Sequence, residues 1–185
     1  RARRTKQMPP ARTRLVNIPP EERGKMEPVF YTVGLLAVIL AAGTGTRLRP
    51  LTDATPKCLL DINGRALLDR LLEGLAAAGL DRAVIVTGHL SELVEAHLAE
   101  VPPPLDVMVV TNPAYRTTNN AASLAAACTE IGHEDFLLCD GDVIFSPNPL
   151  PALLAVNTTG ALTVDASVSD AAEAMKVELA PDGRV

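Results

Sequence analysis

Cysteine is scarce in this sequence: Cys58, Cys128 and Cys139 are its three cysteines, far apart and without a Cys-x-x-Cys spacing. Zinc is not indicated, and the expectation is three buried free thiols in a reducing, cytoplasmic setting. Aromatic residues are also few, at 3% with no tryptophan. The arginines near the N-terminus are scattered and lack interleaved aromatics, so a nucleic-acid-binding arm is not expected. Long apolar runs are missing as well. The stretch from Val33 to Ala42 is too short to cross a bilayer, and it leads straight into a glycine-rich loop without a small-residue cleavage pattern. Neither a transmembrane helix nor a secretory signal is expected from it.

With 185 residues, 48% of them hydrophobic, the chain has enough material for one domain with a core and is too short to expect two. Charge is unevenly spread: up to Gly34 eight Lys or Arg stand against three acids, a net +5, and the remainder carries a net −10. The basic stretch contains Pro9, Pro10, Pro19 and Pro20 without apolar periodicity. Such a segment cannot bury enough surface to offset its ordering entropy, so residues 1–34 read as a disordered tail and 35–185 as the domain. Met26 is a more natural start within that tail.

After the tail, strand-like and helix-like segments alternate. Leu35 to Leu40 is a continuous apolar run ending at a glycine turn, the pattern of a strand buried on both faces. Ala66 to Leu80 places leucines at helical spacing between the Asn63-Gly64 turn and Gly79. Arg82 to Gly88 predicts a strand, and Ser91 to Glu100 a helix capped by Ser91. Strand, helix, strand follow over Leu105–Asn112, Asn120–Ile131 and Asp135–Asp142. This alternation implies βαβ units and a mainly parallel sheet, whose ligands bind outside the carboxyl ends of the strands. The polar clusters at Gly43–Arg49, Thr87–His89, Asn112, and Asp140 with Asp142 fall at those ends. From Ala161 two further strand-like segments appear, the second, from Ala174, running into the Pro181-Asp182-Gly183 turn. A hairpin beginning there has no return strand, so the sequence is expected to stop inside its domain.

The loop after the first strand carries the chemistry. Gly43 and Gly45 allow close backbone approach, consecutive amides in such a turn form an anion-binding concavity, and Arg47, Arg49 and Lys57 add positive charge. This is a polyphosphate cradle. It is not a P-loop, which needs Gly-Lys-Ser or Gly-Lys-Thr, nor a dinucleotide fingerprint, which would need glycine where Leu48 stands.

The run Leu40-Ala41-Ala42-Gly43-Thr44-Gly45-Thr46-Arg47-Leu48-x-Pro50-Leu51-Thr52, followed by Pro56-Lys57, closely resembles the nucleotidyltransferases that join an NTP to a phosphorylated sugar or alcohol and release pyrophosphate. The resemblance implies an α/β fold, a Rossmann-like three-layer αβα sandwich with a mainly parallel sheet. It implies that Leu40 to Thr46 bind the nucleotide, that Arg47 holds the β- and γ-phosphates, and that Lys57 neutralises charge at the transferred α-phosphate. Asp142 follows what reads as a buried strand, where a carboxylate is costly unless paired or bound to metal; it resembles the family's magnesium ligand, which makes Mg²⁺ the expected cofactor, with Asp140 as its neighbour.

The segments Val84–Leu90, Asn112–Leu124 and Phe136–Phe145 look like the phosphocholine cytidylyltransferase-like branch. There Thr87, Gly88 and His89 would read the base, and Tyr115, Asn119, Asn120 and Ser123 would shape the nucleotide and acceptor pocket. As plain structure, Asn119 caps a helix, Ser123 lies inside it and His89 is an exposed loop residue; His97 and His133 need no role. Lys176 could meet the acceptor phosphate. Relatives continue with a further lysine and a second metal-binding Asp, so this piece is expected to turn over little. The expected partners are CTP and a small phosphorylated acceptor such as phosphocholine or an inositol phosphate. A sugar 1-phosphate with UTP or dTTP, or a molybdenum-cofactor type acceptor, is the rival within the same chemistry, and a non-catalytic nucleotide sensor is the rival outside it.

Overall fold

The computed structural model describes residues 36–144, 149–155 and 160–163. The chain divides into two compact units, Arg1–Phe145 and Ser146–Val185. In the second unit the described residues include one short helix, Pro149–Leu154. The tail expected over 1–34, Lys176 and the segment from Ala174 lie outside the described residues, as does most of the segment beginning at Ala161.

In the first unit, β1 (Leu36–Ala41), β2 (Arg82–Thr87), β3 (Asp106–Thr111) and β4 (Phe136–Asp140) form an all-parallel sheet in the order β3-β2-β1-β4. The helices α1 (Leu67–Ala77), α2 (Ser91–Glu100) and α3 (Asn120–Ile131) make the crossovers. Because such crossovers are right-handed, the steps from β1 to β2 to β3 put α1 and α2 on one face. The return from β3 to β4, on the far side of β1, puts α3 on the other. Ala127 and Ile131 of α3 accordingly pack with Leu36, Val38, Val84 and Val86. The alternate residues Ala37, Ile39, Ala83 and Ile85 are fully buried as well, which explains why β1 and β2 read as unbroken apolar runs. The result is the three-layer α/β fold that the motif implied.

Element positions agree with the sequence to within a few residues, with three corrections. Ser91 is the first residue of α2 rather than its cap; Leu90 precedes it in the left-handed region at φ 53, and no side chain caps the helix. The strand before Asp142, expected to be buried, is only partly so. Among the described residues β4 pairs only with β1, and Leu138 at its centre is 47% exposed. Of the three thiols only Cys58 is buried; Cys128 and Cys139 are half-buried, Cys128 because Ala127 and Ile131 take the inward positions of α3.

His97, expected to need no role, ties α2 to α1: its Nε2 lies 2.7 Å from Asp69 Oδ1. Arg82, at the start of β2, donates to Glu134 in the α3–β4 turn at 2.6 Å and holds the opposite end of the sheet.

Candidate active site

In an open parallel sheet the ligand crevice opens where the strand connections reverse direction, because neighbouring turns there splay to opposite faces. In this fold that place is between β1 and β4. A cavity of about 360 Å³ lies there, lined by the end of β1, Gly43 and Gly45 to Leu48 of the turn, Lys57, Asn120 and Asp140 to Asp142, while Thr44 is not in the lining. Its volume suits a small molecule.

The turn after β1 supplies backbone. Gly45 sits at φ 62, where a side chain would be strained, and starts a 3-10 turn over Thr46–Leu48. Among the described residues the amides of Gly43, Thr44, Gly45 and Thr46 donate no hydrogen bond within the protein. Four successive amides without an internal partner, beside a cavity, form a concavity for an anion. Arg47 lines the same cavity. Arg49 does not; it turns outward to an ion pair with Asp53 at 3.2 Å.

Lys57 arrives on a second 3-10 turn, Lys57–Leu59, whose Cys58 is buried and so presents Lys57 outward. Its Nζ donates to Asp142 Oδ2, and each of the two side chains is about one-third exposed (33% and 32%). The cation expected at the α-phosphate and the carboxylate expected to hold magnesium therefore pair with one another in this structure. Burial pushes the Cys58 thiol up to about 12, and the nearby Asp142 charge adds to the shift.

Asp140 and Asp142 reach the cavity because Gly141 lets β4 end against β1. The Gly141 amide donates to Leu40 O at 2.8 Å, and a Cβ on Gly141 would stand 2.9 Å from the Ala41 Cβ and 3.0 Å from Leu40 O. Partial burial first, then the charge of Asp142, push the Asp140 carboxyl above its ordinary range, with Lys57 opposing. Asn120 Nδ2 donates to Asp140 Oδ1 at a long 3.5 Å.

Two carboxylates facing one cavity suit magnesium. That ion keeps several waters and takes few protein ligands, with phosphate oxygens completing its shell. Among the described residues no group of three His, Cys, Asp or Glu side chains assembles for a metal.

Of the other residues singled out in the sequence, Leu40 to Ala42 line the cavity as backbone at the end of β1. Thr87 is fully buried, its hydroxyl within 3.4 Å of Val110 O and 3.3 Å of Thr111 Oγ1. Gly88 packs under Tyr115 and against Ala42 O. Asn119 caps α3, its side-chain oxygen accepting from the amides of Ala121 and Ala122. Ser123 is 4% exposed and accepts from Asn112 Nδ2 at 3.1 Å. Thr87 and Ser123 are thus buried among internal partners, while Asn119 is exposed and uses its side-chain oxygen in the cap.

Asn112 was only a polar strand end in the sequence. It is buried, donates also to Thr118, accepts from the Ala114 amide, and so shapes the whole β3–α3 turn. An asparagine between a strand and a proline was the one available signal. Thr52 was equally unmarked: it is 1% exposed and its hydroxyl donates to Gly45 O at 2.8 Å.

The sequence model of the MobA-like NTP transferase domain matches residues 37–176. The 2-aminoethylphosphonate cytidylyltransferase of Lancefieldella rimae is 36% identical over 110 residues, 60% of this chain and 44% of that protein. The N-acetylmuramate alpha-1-phosphate uridylyltransferase of Caulobacter vibrioides is 49% identical over 63 residues, 34% of this chain and 26% of that protein. Among solved structures, the CTP:phosphocholine cytidylyltransferase of Streptococcus pneumoniae superposes with a TM-score of 0.51 at 33% identity, covering 60% of this chain and 46% of that one. The chain spans less than half the length of these three proteins.

Proposed function

The chain belongs to the MobA-like NTP transferase family, and from that premise we propose that it serves magnesium-dependent nucleotidyl transfer from an NTP, CTP by preference, to a small phosphorylated or phosphonylated acceptor. The observation that carries the reading is the cavity itself. It places Gly43, Gly45 and Thr46, whose amides have no partner among the described residues, together with Arg47, Lys57 and two carboxylates around one volume.

An oxygen of the acceptor attacks the α-phosphorus in line. The new P–O bond forms as the bond to the β-phosphate bridge breaks, and the electron pair leaves with pyrophosphate. Both partners are anionic, so charge neutralisation and alignment are what the protein must contribute. The amides of Gly43 to Thr46 and the Arg47 guanidinium hold the β- and γ-phosphates. Lys57 leaves Asp142 for the α-phosphate when the triphosphate enters, and Asp142 with Asp140 would hold magnesium. That ion, when bound, supplies positive charge among the phosphate oxygens.

The preference for CTP and for a phosphocholine-like or phosphonate acceptor rests on the names of the cytidylyltransferase relatives. UTP with a sugar 1-phosphate is the rival supported by the uridylyltransferase. A cytoplasmic setting belongs to the same proposal: the three thiols are free, and among the described residues no helix is long and apolar enough to cross a membrane.

Pyrophosphate release by the full chain with magnesium tests all of this. Each NTP is paired with phosphocholine, 2-aminoethylphosphonate, an inositol phosphate and a panel of sugar 1-phosphates. One productive pair, lost in Asp142→Asn, establishes chemistry, base and acceptor together. Silence across the panel with nucleotide still bound returns the protein to the sensor class.

A further inference from the structure

Thr52 lies in a turn whose other residues, Arg49, Pro50, Leu51 and Asp53, are exposed, yet it is itself 1% exposed. Its hydroxyl donates to the Gly45 carbonyl at 2.8 Å, and the same oxygen accepts from the Leu48 amide at 2.9 Å. Both lone pairs of that oxygen are therefore taken. The Thr52 methyl carbon lies 2.8 Å from the position of a Cβ on Gly45, so the threonine closes the space behind the turn as well as bonding to it.

His89 completes the arrangement from the β2–α2 turn. Its amide donates to Ala42 O at 3.2 Å, where the glycine turn begins. Its Nε2 lies 3.3 Å from Thr52 O, where the turn closes. A carbonyl only accepts, so Nε2 carries its proton in this contact. One residue thus touches both ends of the turn, while neither His89 nor Thr52 lines the cavity.

We propose that His89 and Thr52 are positioning residues, a two-part brace that holds the amides of Gly43 to Thr46 convergent on a polyphosphate, and that His89 does not read the base. The proposal rests on the nucleotidyl-transfer reading above. Its physical basis is that the amides of Gly43 to Thr46 donate to nothing among the described residues, so their direction is set through the carbonyls of the turn and what holds those carbonyls. The peptide plane couples the Gly45 carbonyl to the Thr46 N–H, which point in opposite directions, so fixing the carbonyl also fixes the amide. Donors set in place before the anion arrives avoid a reorganisation cost on binding.

The test is calorimetric binding of inorganic pyrophosphate and, separately, of CMP to the full chain and to Thr52→Val, Thr52→Ser, His89→Ala and His89→Gln, with a melting temperature for each. Thr52→Val keeps the shape and loses the donor; Thr52→Ser keeps the donor. Loss of one such hydrogen bond weakens pyrophosphate by about tenfold in Thr52→Val and His89→Ala and leaves CMP unchanged. Thr52→Ser and His89→Gln, which retain a donor, recover most of the loss. A merely structural role would lower the melting temperature without separating the two ligands. If His89→Ala weakens CMP more than pyrophosphate, His89 reads the base and the brace is wrong. Wild-type affinity for pyrophosphate in all four variants overturns it equally. If the unmodified protein binds neither ligand, the nucleotidyl-transfer reading itself fails and takes the brace with it.

Discussion

Lys57 and Asp142 hold each other at the mouth of the cavity, each about one-third exposed. At that exposure water screens the pair, and its worth to folding is small. In the proposed reaction its worth to a triphosphate is larger, because Lys57 would neutralise charge at the α-phosphate and Asp142 would hold the magnesium. Lys57→Ala and Asp142→Asn should each lower turnover by about 10²-fold or more while the melting temperature barely moves. Near-wild-type turnover in either variant would take that residue out of the mechanism. That Arg47, Lys57 and Asp142 would gather at one cavity was legible because residue type alone advertises charge. Thr87, Asn119 and Ser123 were not, because a polar side chain reads the same whether it meets a ligand or another part of the protein, as Ser123 meets Asn112.

At the scale of elements, the glycine turn is held from outside by Thr52 and His89, and the carboxylates are delivered by the tight exit of β4. Gly141 is the hinge of that exit. In Gly141→Ala the new methyl would stand 2.9 Å from the Ala41 Cβ and 3.0 Å from Leu40 O, so β4 must draw away from β1. Overpacking of this kind costs about 1–3 kcal/mol, measurable by urea unfolding. Magnesium-dependent nucleotide binding should fall further than that loss explains, since both carboxylates move with the turn; binding that tracks stability alone would contradict it. The helices and strands themselves were readable from apolar periodicity, α3 to the residue. The cap of α2 was misread, because Ser91 has the composition of a cap and Leu90 has the backbone of one. Exposure of β4 was misread for a different reason: its sequence is apolar enough for a central strand, and only its lack of a second neighbour among the described strands leaves Leu138 open.

For the molecule as a whole, the thiols report on the packing of the sheet. Burial raises Cys58 to about 12, and burial, then Asp140, raises Cys139 to about 11. Unfolded thiols titrate near ~8.5. For an acid raised on folding, the associated stability is intact below the unfolded value and is lost as pH climbs through the folded one. Stability should therefore decline above about pH 8.5 and continue to fall through the range 11 to 12. In the folded protein at about pH 8, iodoacetamide should modify Cys58 and Cys139 far more slowly than after urea unfolding; equal rates would mean the sheet and the Lys57 turn are open. The order of strands and helices, the glycine turn and its cations were determined by the sequence alone, because each depends on residues close together in the chain. Only the tertiary structure decided that β4 lies beside β1, that Asp142 meets Lys57 across 85 positions, and that Thr52 and His89 stand behind the turn instead of in the cavity. Those contacts follow from the handedness of the crossovers and from which faces remain to be covered, and no local pattern of residues encodes either.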